Sequence, residues 1–300
     1  MGHPLLRRCG ALTAAILLAA VPAPVLRAQD RADCNAYSSK ILRRGVRYCV
    51  YLPASYAASK TERYPVLYLL HGLGGNEQEI ALSGEWSQVR DLRQAGKIGE
   101  FLIVAPDGGR SFYINSEDGR RPYSDFFLRE FVPFIERTYR IRAGRASRGI
   151  TGFSMGAYGA LRFAFADPEQ FGSVSAHSAA LMKDPPQALT DGAGVGNPAA
   201  QLLQNVFGNP IDRPFWSRNS VFVLARANAN LLRKSKIYFD CGTEDNYGFD
   251  RGAADLHQEL DALKIVHEFH LFPGGHNLDY LLAHADASLE FHWRVFSSAR

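Results

Sequence analysis

The sequence lacks any apolar run long enough to cross a membrane. Its longest hydrophobic stretch, residues 11–21 with only Thr13 interrupting it, is about half the roughly 20 residues that a transmembrane helix needs. An excess of one charge is also missing, since 34 basic residues face 30 acidic ones among 300 residues. Without a concentrated basic face the sequence does not favour a nucleic-acid partner, and without a long apolar run it does not favour stable membrane insertion.

Internal repeats and low-complexity tracts are absent as well. A hydrophobic fraction of 46% with 21% charged residues is ordinary for a globular protein, and it excludes disordered, collagen-like and coiled-coil chains. The length fits one large domain or two small ones, so the chain is long enough to bury a substantial core.

Cysteine is scarce, with four in the whole chain. A turn at residues 42–45 would fold the chain into a hairpin that brings Cys34 opposite Cys49, so we predict a disulfide between these two. The alternative pairing of Cys49 with Cys241 is disfavoured by distance. Cys241 is predicted to be a buried thiol at the end of an interior strand.

The N-terminus has the three zones of a secretory signal peptide. Arg7 and Arg8 precede the apolar stretch, prolines follow it, and the small residue Ala28 closes the segment. Basic, apolar and small-residue zones in this order are typical of a cleavable signal. We therefore predict a signal peptide over residues 1–28, export to the periplasm or beyond the cell, and a mature domain over residues 29–300.

The predicted domain alternates strand-like and helix-like segments, which is the pattern of an α/β sheet with helices on both faces. Several strand candidates are apolar on both faces, as central parallel strands must be. A proline-rich stretch over residues 183–235 interrupts the alternation, and we predict a cap-like insertion there. The predicted strands are 48–52, 66–70, 101–105, 149–153, 173–176, 236–240 and 267–272, and apolar stripes predict helices around 128–139, 253–263 and 278–296.

The clearest chemical signal is the segment Gly152-Phe153-Ser154-Met155-Gly156, which follows a predicted strand and opens a predicted helix. A strand, a G-x-S-x-G turn and a helix in this order form a nucleophile elbow. The glycines leave space on a tight turn where a side chain would collide with neighbouring backbone. Ser154 is therefore the predicted nucleophile.

A serine nucleophile needs a base, and the base needs an acid that orients it. In this architecture both follow the serine, in the order serine, acid, histidine. His276 follows the last predicted strand, and the acidic pair Glu244 and Asp245 follows the strand before it. Both loops lie at the edge where open α/β sheets build their sites. His276 is the predicted base, and the residue pattern leaves the acid open within the pair.

Acyl transfer also needs amide donors for the negative charge that develops on the reacting oxygen. The amide of Met155 is one predicted donor, because it follows the nucleophile. A glycine-rich loop at residues 71–76 follows an earlier strand, and the amide of Leu73 is the predicted second donor.

The nine histidines predict no metal site. His267 and His270 are three residues apart on a predicted strand, so they face opposite sides of it. His257, His284 and His292 fall on predicted helices, where histidines are more often surface or core residues. We predict neither a metal nor another cofactor.

Several segments resemble the putative esterase family, which includes S-formylglutathione hydrolases, secreted feruloyl and acetyl esterases and mycolyl transferases. The resemblance implies an α/β-hydrolase fold, a serine esterase mechanism and a catalytic triad of Ser154, Asp245 and His276. One departure is Ile80, at a position where the family often has an aromatic residue, which predicts a different acyl or alcohol pocket. The similar segments are 50–53, 68–72, 104–108, 152–159, 241–245 and 273–276.

Residues near the predicted site also indicate where a substrate would bind. Segments 113–116 and 124–127 resemble family segments close to the site. Aromatic rings are able to stack on an acyl ring or a sugar. The candidates for substrate contact are His71, Tyr113, Asn115 and Tyr247, and the further aromatic candidates are Trp86, Phe112 and Phe249.

Together these observations predict an exported serine carboxylic ester hydrolase that acts on short acyl or carbohydrate-linked (acetyl or feruloyl) esters. The alternatives are an acyltransferase with the same site, an S-formylglutathione hydrolase, and a binding protein with an inactive hydrolase fold. Export argues against the cytosolic glutathione-thioester role, and the complete catalytic set argues against an inactive protein. The predicted partner is a small-molecule or carbohydrate ester, and the oligomeric state is left open.

Overall fold

A computed structural model describes residues 30–191 and 198–298. The predicted signal peptide, residues 1–28, lies outside the described residues, and so does the segment 192–197 within the predicted insertion.

A single sheet of eight strands runs through the described part of the chain. Its strands are β1 (Arg31–Ser39), β2 (Arg44–Leu52), β3 (Val66–Leu70), β4 (Leu102–Pro106), β5 (Arg148–Gly152), β6 (Ser173–His177), β7 (Lys236–Gly242) and β8 (Glu268–Phe272). Their order across the sheet is β1-β2-β4-β3-β5-β6-β7-β8. β2 pairs antiparallel with both β1 and β4, and the other neighbouring strands are parallel. This is the mostly parallel α/β architecture that the sequence predicts.

Helices connect the strands and cover both faces of the sheet. The α-helices are α1 (Ser55–Ala58), α2 (Glu79–Ser83), α3 (Glu85–Gln94), α4 (Tyr123–Phe126), α5 (Val132–Thr138), α6 (Met155–Ala166), α7 (Gln187–Thr190), α8 (Pro198–Phe207), α9 (Arg213–Asn219), α10 (Val221–Ala227), α11 (Ala229–Leu232), α12 (Phe249–Ala262) and α13 (Leu278–Ser298). Among the residues described, none of these helices has both the length and the apolarity to cross a bilayer.

The sheet separates two apolar cores, and alternate side chains along a strand belong to one core or the other. In β2, Tyr48 and Val50 belong to the larger core with residues of α6, α10 and α12, whereas Cys49 and Tyr51 belong to the smaller core with α3 and α13. Successive side chains of a strand point to opposite faces, and here both faces are covered. This explains why the predicted strands are apolar at consecutive positions.

β1 and β2 form the predicted hairpin at one edge of the sheet. Cys34 is the register partner of Cys49 across this pair, and a disulfide joins the two. Cys241 lies in β7 as a buried free thiol. The pairing follows from the hairpin turn, because the turn alone fixes which residues of the two strands face each other.

Pro133 lies inside the helix that the stripe at 128–139 predicts. Helical residues run without a break from α4 (Tyr123–Phe126) through a π-helical turn at Phe127–Phe131 into α5. The proline has no N–H to donate, and the π-helical turn changes the hydrogen-bond pattern of the helix just before it.

The predicted insertion lies between β6 and β7 and contains α7 to α11. Phe222 and Ala225 of α10 are buried in the larger core. The insertion therefore shares the core of the domain.

Candidate active site

Ser154 lies at a sharp turn between β5 and α6. Its backbone has φ 54° and ψ −114°, a strained conformation for a residue with a side chain. A Cβ built on Gly156 would overlap the carbonyl oxygen of Leu70, and one built on Gly152 would overlap the backbone of Gly156. The two glycines of the motif therefore allow the close contact that this turn requires.

The side chains of Ser154, His276 and Asp245 form one hydrogen-bonded chain. The Nε2 of His276 lies 2.9 Å from the Oγ of Ser154, and its Nδ1 lies 2.7 Å from the Oδ2 of Asp245. With a proton on Nδ1, the ring donates to the carboxylate and offers the lone pair of Nε2 to the serine hydroxyl. The structure thus brings together the residues that the sequence suggests as nucleophile, base and acid.

Two loops at the carboxyl ends of neighbouring strands carry the acid and the base. Asp245 follows β7, and His276 follows β8. The loops bond to each other, because the amide of Glu244 donates to the carbonyl of Gly274 at 2.9 Å. The side chain of Glu244 is exposed, whereas Asp245 is buried against His276. Of the two acidic candidates, Asp245 is therefore the one that the loop directs to the histidine.

Hydrogen bonds keep the Asp245 carboxyl ionised. Burial on its own would raise the pKa of Asp245, but the hydrogen bonds from His276 and from the amide of Tyr247 outweigh burial and hold the pKa below its usual value. Burial raises the pKa of the neighbouring Cys241, whose thiol makes a weak hydrogen bond to Asp245 at 3.5 Å. An ionised Asp245 is suited to stabilise an imidazolium at His276.

The suggested oxyanion donors flank the nucleophile on two sides. Met155 is the first residue of α6, where an N–H has no partner within the helix and the helix dipole favours negative charge. The amide of Ser154 itself donates to the carbonyl of His177 at 3.0 Å. A Cβ built on Gly72 would lie 3.7 Å from the Cβ of Ser154, so the loop that contains Leu73 lies against the nucleophile.

A cavity of about 970 Å³ opens onto Ser154 and His276. Pockets for small molecules usually measure roughly 300–1,000 Å³, so this one is large enough for an aromatic acyl group with part of an alcohol. Leu202 and Leu203 of α8 line it, so a helix of the segment between β6 and β7 forms part of the cavity wall. Apolar side chains dominate the rest of the wall and include Phe112, Met182, Phe249 and Leu278.

His71 and Tyr113 were expected to contact substrate, but in the structure neither residue lines this cavity. Both side chains are buried. The Nε2 of His71 accepts a hydrogen bond from the amide of Gly108 at 2.8 Å, and its Nδ1 donates to the carbonyl of Gly72 at 2.7 Å. The hydroxyl of Tyr113 donates to the carbonyl of His71 at 3.0 Å. These two residues support the loop that contains Leu73.

Asn115 and Trp86 also lie away from the cavity lining, contrary to expectation. The Oδ1 of Asn115 accepts a hydrogen bond from the amide of Asp125 at 3.1 Å, so the side chain is used within its own loop. Trp86 packs on Tyr51 with ring centroids 4.9 Å apart and belongs to the smaller core.

Tyr247 is the substrate-contact candidate that does line the cavity, together with the aromatic candidates Phe112 and Phe249. Tyr247 is 64% exposed. The ring of Tyr247 meets His276 edge-on with centroids 4.9 Å apart, and Phe249 does so at 5.4 Å. Two aromatic rings thus border the base on the side of the cavity.

A second group of serine, histidine and aspartate lies beneath the site, and it was not predicted from the sequence. His177 and Asp240 are register partners on β6 and β7, and they lie 2.8 Å apart as an ion pair. The other ring nitrogen of His177 lies 2.8 Å from the Oγ of Ser288 on α13. Burial opposes a charge on His177, yet Asp240 outweighs it and the pKa of His177 is raised. His177 and Asp240 each occupy a polar position near the end of an apolar strand, and this shared position is the sequence signal that could have indicated the pair.

Two buried carboxyl groups near the loop that contains Leu73 were not predicted from the sequence either. Burial raises the pKa of Glu85 to about 7. Burial also raises the pKa of Glu79, which lines the cavity together with Leu73.

Comparisons with known proteins identify the family of this chain. Residues 39–285 match the family profile described as putative esterase. The chain is 32% identical over 248 residues to an esterase of Mycobacterium tuberculosis, and the match covers 76% of this chain and 51% of that protein. It is 33% identical over 130 residues to an endo-1,4-beta-xylanase/feruloyl esterase of Xylanibacter ruminicola, which covers 41% of this chain and 18% of that protein. The chain thus spans about half the length of the mycobacterial relative.

Solved structures show the same fold. A ferulic acid esterase matches with a TM-score of 0.77 and 27% identity, over 90% of this chain and 100% of that chain. An S-formylglutathione hydrolase from Agrobacterium tumefaciens matches with a TM-score of 0.71 and 20% identity, over 90% of this chain and 96% of that chain. The predicted α/β-hydrolase fold is confirmed, and with a family profile that spans most of its length the chain belongs to the putative esterase family.

Proposed function

We propose that this protein is a serine carboxylic ester hydrolase with Ser154, His276 and Asp245 as its catalytic triad. The observation that carries the proposal is the hydrogen-bonded chain from Asp245 through His276 to Ser154, which opens onto the large cavity. Membership of the esterase family supports the reaction class.

In the first step, the Oγ of Ser154 attacks the ester carbonyl carbon while its proton passes to the Nε2 of His276. The carbonyl oxygen becomes an oxyanion that accepts hydrogen bonds from the amides of Leu73 and Met155. Asp245 stabilises the charge on the histidine. The tetrahedral intermediate then expels the alkoxide, which takes the proton from Nε2 and leaves as the alcohol.

In the second step, a water molecule gives a proton to the Nε2 of His276 and attacks the acyl carbon. The new tetrahedral intermediate uses the same two amides. Its collapse returns the proton to the Oγ of Ser154 and releases the carboxylic acid. The same histidine therefore acts as base and as acid in each half of the reaction.

For the substrate, we infer an acetyl or feruloyl type of acyl group joined to a carbohydrate or another small alcohol. The rings of Phe112, Tyr247 and Phe249 in the cavity wall supply surfaces for an aromatic acyl group or a sugar. A relative that is both xylanase and feruloyl esterase, and a solved ferulic acid esterase, support this class.

We also propose that the protein is exported. The segment 1–28 has the zones of a signal peptide. The disulfide between Cys34 and Cys49 supports an oxidising compartment, because such bonds persist there and are rare in the cytosol.

A panel of acetyl, butyryl, longer acyl and feruloyl esters, with S-formylglutathione as a thioester, tests the proposal through kcat/KM. We expect hydrolysis with a preference for acetyl or feruloyl esters. A folded protein that hydrolyses none of them would contradict the proposal. Product analysis with an added sugar acceptor separates hydrolysis from acyl transfer, and acylated sugar as the main product would show that the site is an acyltransferase.

A further inference from the structure

Two histidines and an aspartate converge where α12 returns to β8. His257 and Asp261 lie one turn apart on α12, and His267 immediately precedes β8. The Nδ1 of His257 lies 2.8 Å from the Nε2 of His267, and a carboxylate oxygen of Asp261 lies 4.0 Å from that same Nε2. Each residue offers a possible ligand atom, and these atoms all lie within 4.8 Å of one another.

Hydrogen bonding fixes the lone pair of His267 towards this cluster. Its Nδ1 lies 2.8 Å from the carbonyl oxygen of Ile265. Because a carbonyl oxygen only accepts, the ring proton is on Nδ1, and Nε2 presents its lone pair to His257. Histidines that bind metals usually have this arrangement, with the second ring N–H donated to a backbone carbonyl or a carboxylate.

Neighbouring aromatic rings hold both imidazoles in place. His257 stacks on Phe269 with centroids 4.6 Å apart, and His267 stacks on Phe239 at 5.6 Å. The side chain of His267 is 3% exposed, whereas that of Asp261 is 63% exposed. Two fixed nitrogens and one adjustable carboxylate therefore face an opening to solvent. The end of α12 adds the negative pole of the helix dipole, which favours a cation.

We propose that His257, Asp261 and His267 bind a divalent transition-metal ion, and that zinc is the best match. Two imidazoles and a carboxylate are common zinc ligands, and water would complete a tetrahedral site. Bonds of roughly 2.0–2.1 Å place two tetrahedral nitrogen ligands about 3.3 Å apart. The imidazole nitrogens of His257 and His267 thus need to separate by about half an ångström as the ion replaces the proton between them.

The position of this site gives it a structural role. α12 begins after the loop that carries Asp245, and β8 ends before the loop that carries His276. An ion between α12 and the start of β8 would tie these two elements together at the end of β8 that is remote from His276. Metal binding there does not depend on esterase activity. The spacing of His267 and His270 along the chain does not reveal this cluster, because the neighbour of His267 is His257 on the preceding helix.

Zinc binding to untagged, chelator-stripped protein tests the proposal. Zinc chloride is titrated calorimetrically into wild type and into His257→Gln, His267→Gln and Asp261→Asn, and melting curves are recorded with and without zinc. The matched control is His270→Gln, which replaces an exposed histidine of β8 outside the cluster. Far-UV circular dichroism verifies the fold of each variant. If a histidine variant does not fold, zinc binding by Asp261→Asn tests the proposal, because Asp261 is exposed.

We expect one zinc ion per chain in wild type and in His270→Gln. Each cluster variant is expected to bind zinc at least about tenfold more weakly and to lose most of the zinc-dependent rise in Tm. Wild-type protein that binds no zinc would overturn the proposal, and so would zinc binding of undiminished affinity in the folded cluster variants, because the ion would then lie elsewhere.

Discussion

The Oγ of Ser288 lies 2.8 Å from the Nε2 of His177, close to the 2.9 Å that separates Ser154 from His276. The chain thus contains two serine–histidine pairs, and each histidine also contacts an aspartate. Ser288 and His177 are buried with Asp240, whereas Ser154 and His276 line the cavity. Access to substrate, and not the residue types, distinguishes the two groups.

Ser154→Ala and Ser288→Ala are therefore a matched pair. Ser154→Ala is expected to lower kcat by about 10⁴-fold or more, because the nucleophile is lost. Ser288→Ala is expected to retain a kcat near that of wild type, since no substrate reaches this hydroxyl. Steady-state kinetics on the best ester of the panel decides. A Ser154→Ala variant that keeps nearly full kcat would show that another group is the nucleophile.

Asp245→Asn is expected to reduce kcat by several orders of magnitude, and Glu244→Gln to have little effect. Asparagine at position 245 would favour the wrong tautomer of His276 and could not stabilise its charge. Glu244 is the neighbouring carboxylate and is exposed, so it controls for a general change in charge. If Glu244→Gln alone abolished turnover, the two acids would have to exchange roles.

The pH profile of kcat/KM, measured between about pH 5 and 8, is expected to fall towards the acidic end. The base must be neutral to accept the serine proton. Because hydrogen bonds lower the pKa of Asp245, its carboxylate is ionised throughout this range and adds no second step. Initial rates at low substrate concentration measure the profile. A rate that is constant across the range would be inconsistent with a histidine base.

Glu85→Gln is expected to stabilise the protein at high pH. Burial raises the pKa of Glu85 from 4.5 to about 7, so the folded state favours the protonated form. The contribution of Glu85 to stability is complete below pH 4.5 and is lost as the pH rises through about 7. Glutamine stays neutral at every pH. Relative to wild type, it should raise the free energy of unfolding on the order of 3 kcal/mol at pH 8.5 and change it little at pH 4.5.

Urea unfolding of wild type and Glu85→Gln at the two pH values measures this difference. Ser83, whose hydroxyl donates to Glu85, is able to donate to the glutamine oxygen as well. A difference between the two proteins that does not change with pH would mean that Glu85 does not titrate in this range.

Reduction of the Cys34–Cys49 disulfide is expected to lower stability without loss of activity. The bond closes a loop with a sequence separation of 15 residues, and a loop of this size contributes about 3 kcal/mol through the unfolded chain. It lies in the hairpin at the sheet edge, away from the triad. Melting curves with and without reductant test this expectation. Cys241→Ala keeps the disulfide but lacks the free thiol, so it controls for an effect of the reductant on Cys241. An unchanged Tm on reduction would refute the expectation.

The positions of Ser154 and His276 could be predicted because their signals are local and ordered along the chain. The glycines around Ser154 indicate a turn that only small residues allow, and the loops after the last two strands must open at the same edge of a parallel sheet. The Cys34–Cys49 pairing was accessible for the same reason, since one hairpin turn sets the register of its two strands.

The direction of a loop side chain could not be predicted in this way. His71 lies next to the oxyanion glycines in sequence, yet its ring points into the protein and supports the loop. Leu278 was expected on the buried stripe of α13 but is 41% exposed and lines the cavity. His177 and Asp240 meet only through the register of β6 and β7, which depends on the whole sheet.

Labelling with a fluorophosphonate probe tests the central claim that Ser154 is an activated nucleophile. Such probes react with an activated serine, so intact mass spectrometry counts the labelled sites and peptide mapping locates them. We predict one label per chain on Ser154 in wild type and in Ser288→Ala, and none in Ser154→Ala. A label on another residue, or one that persists in Ser154→Ala, would contradict the account.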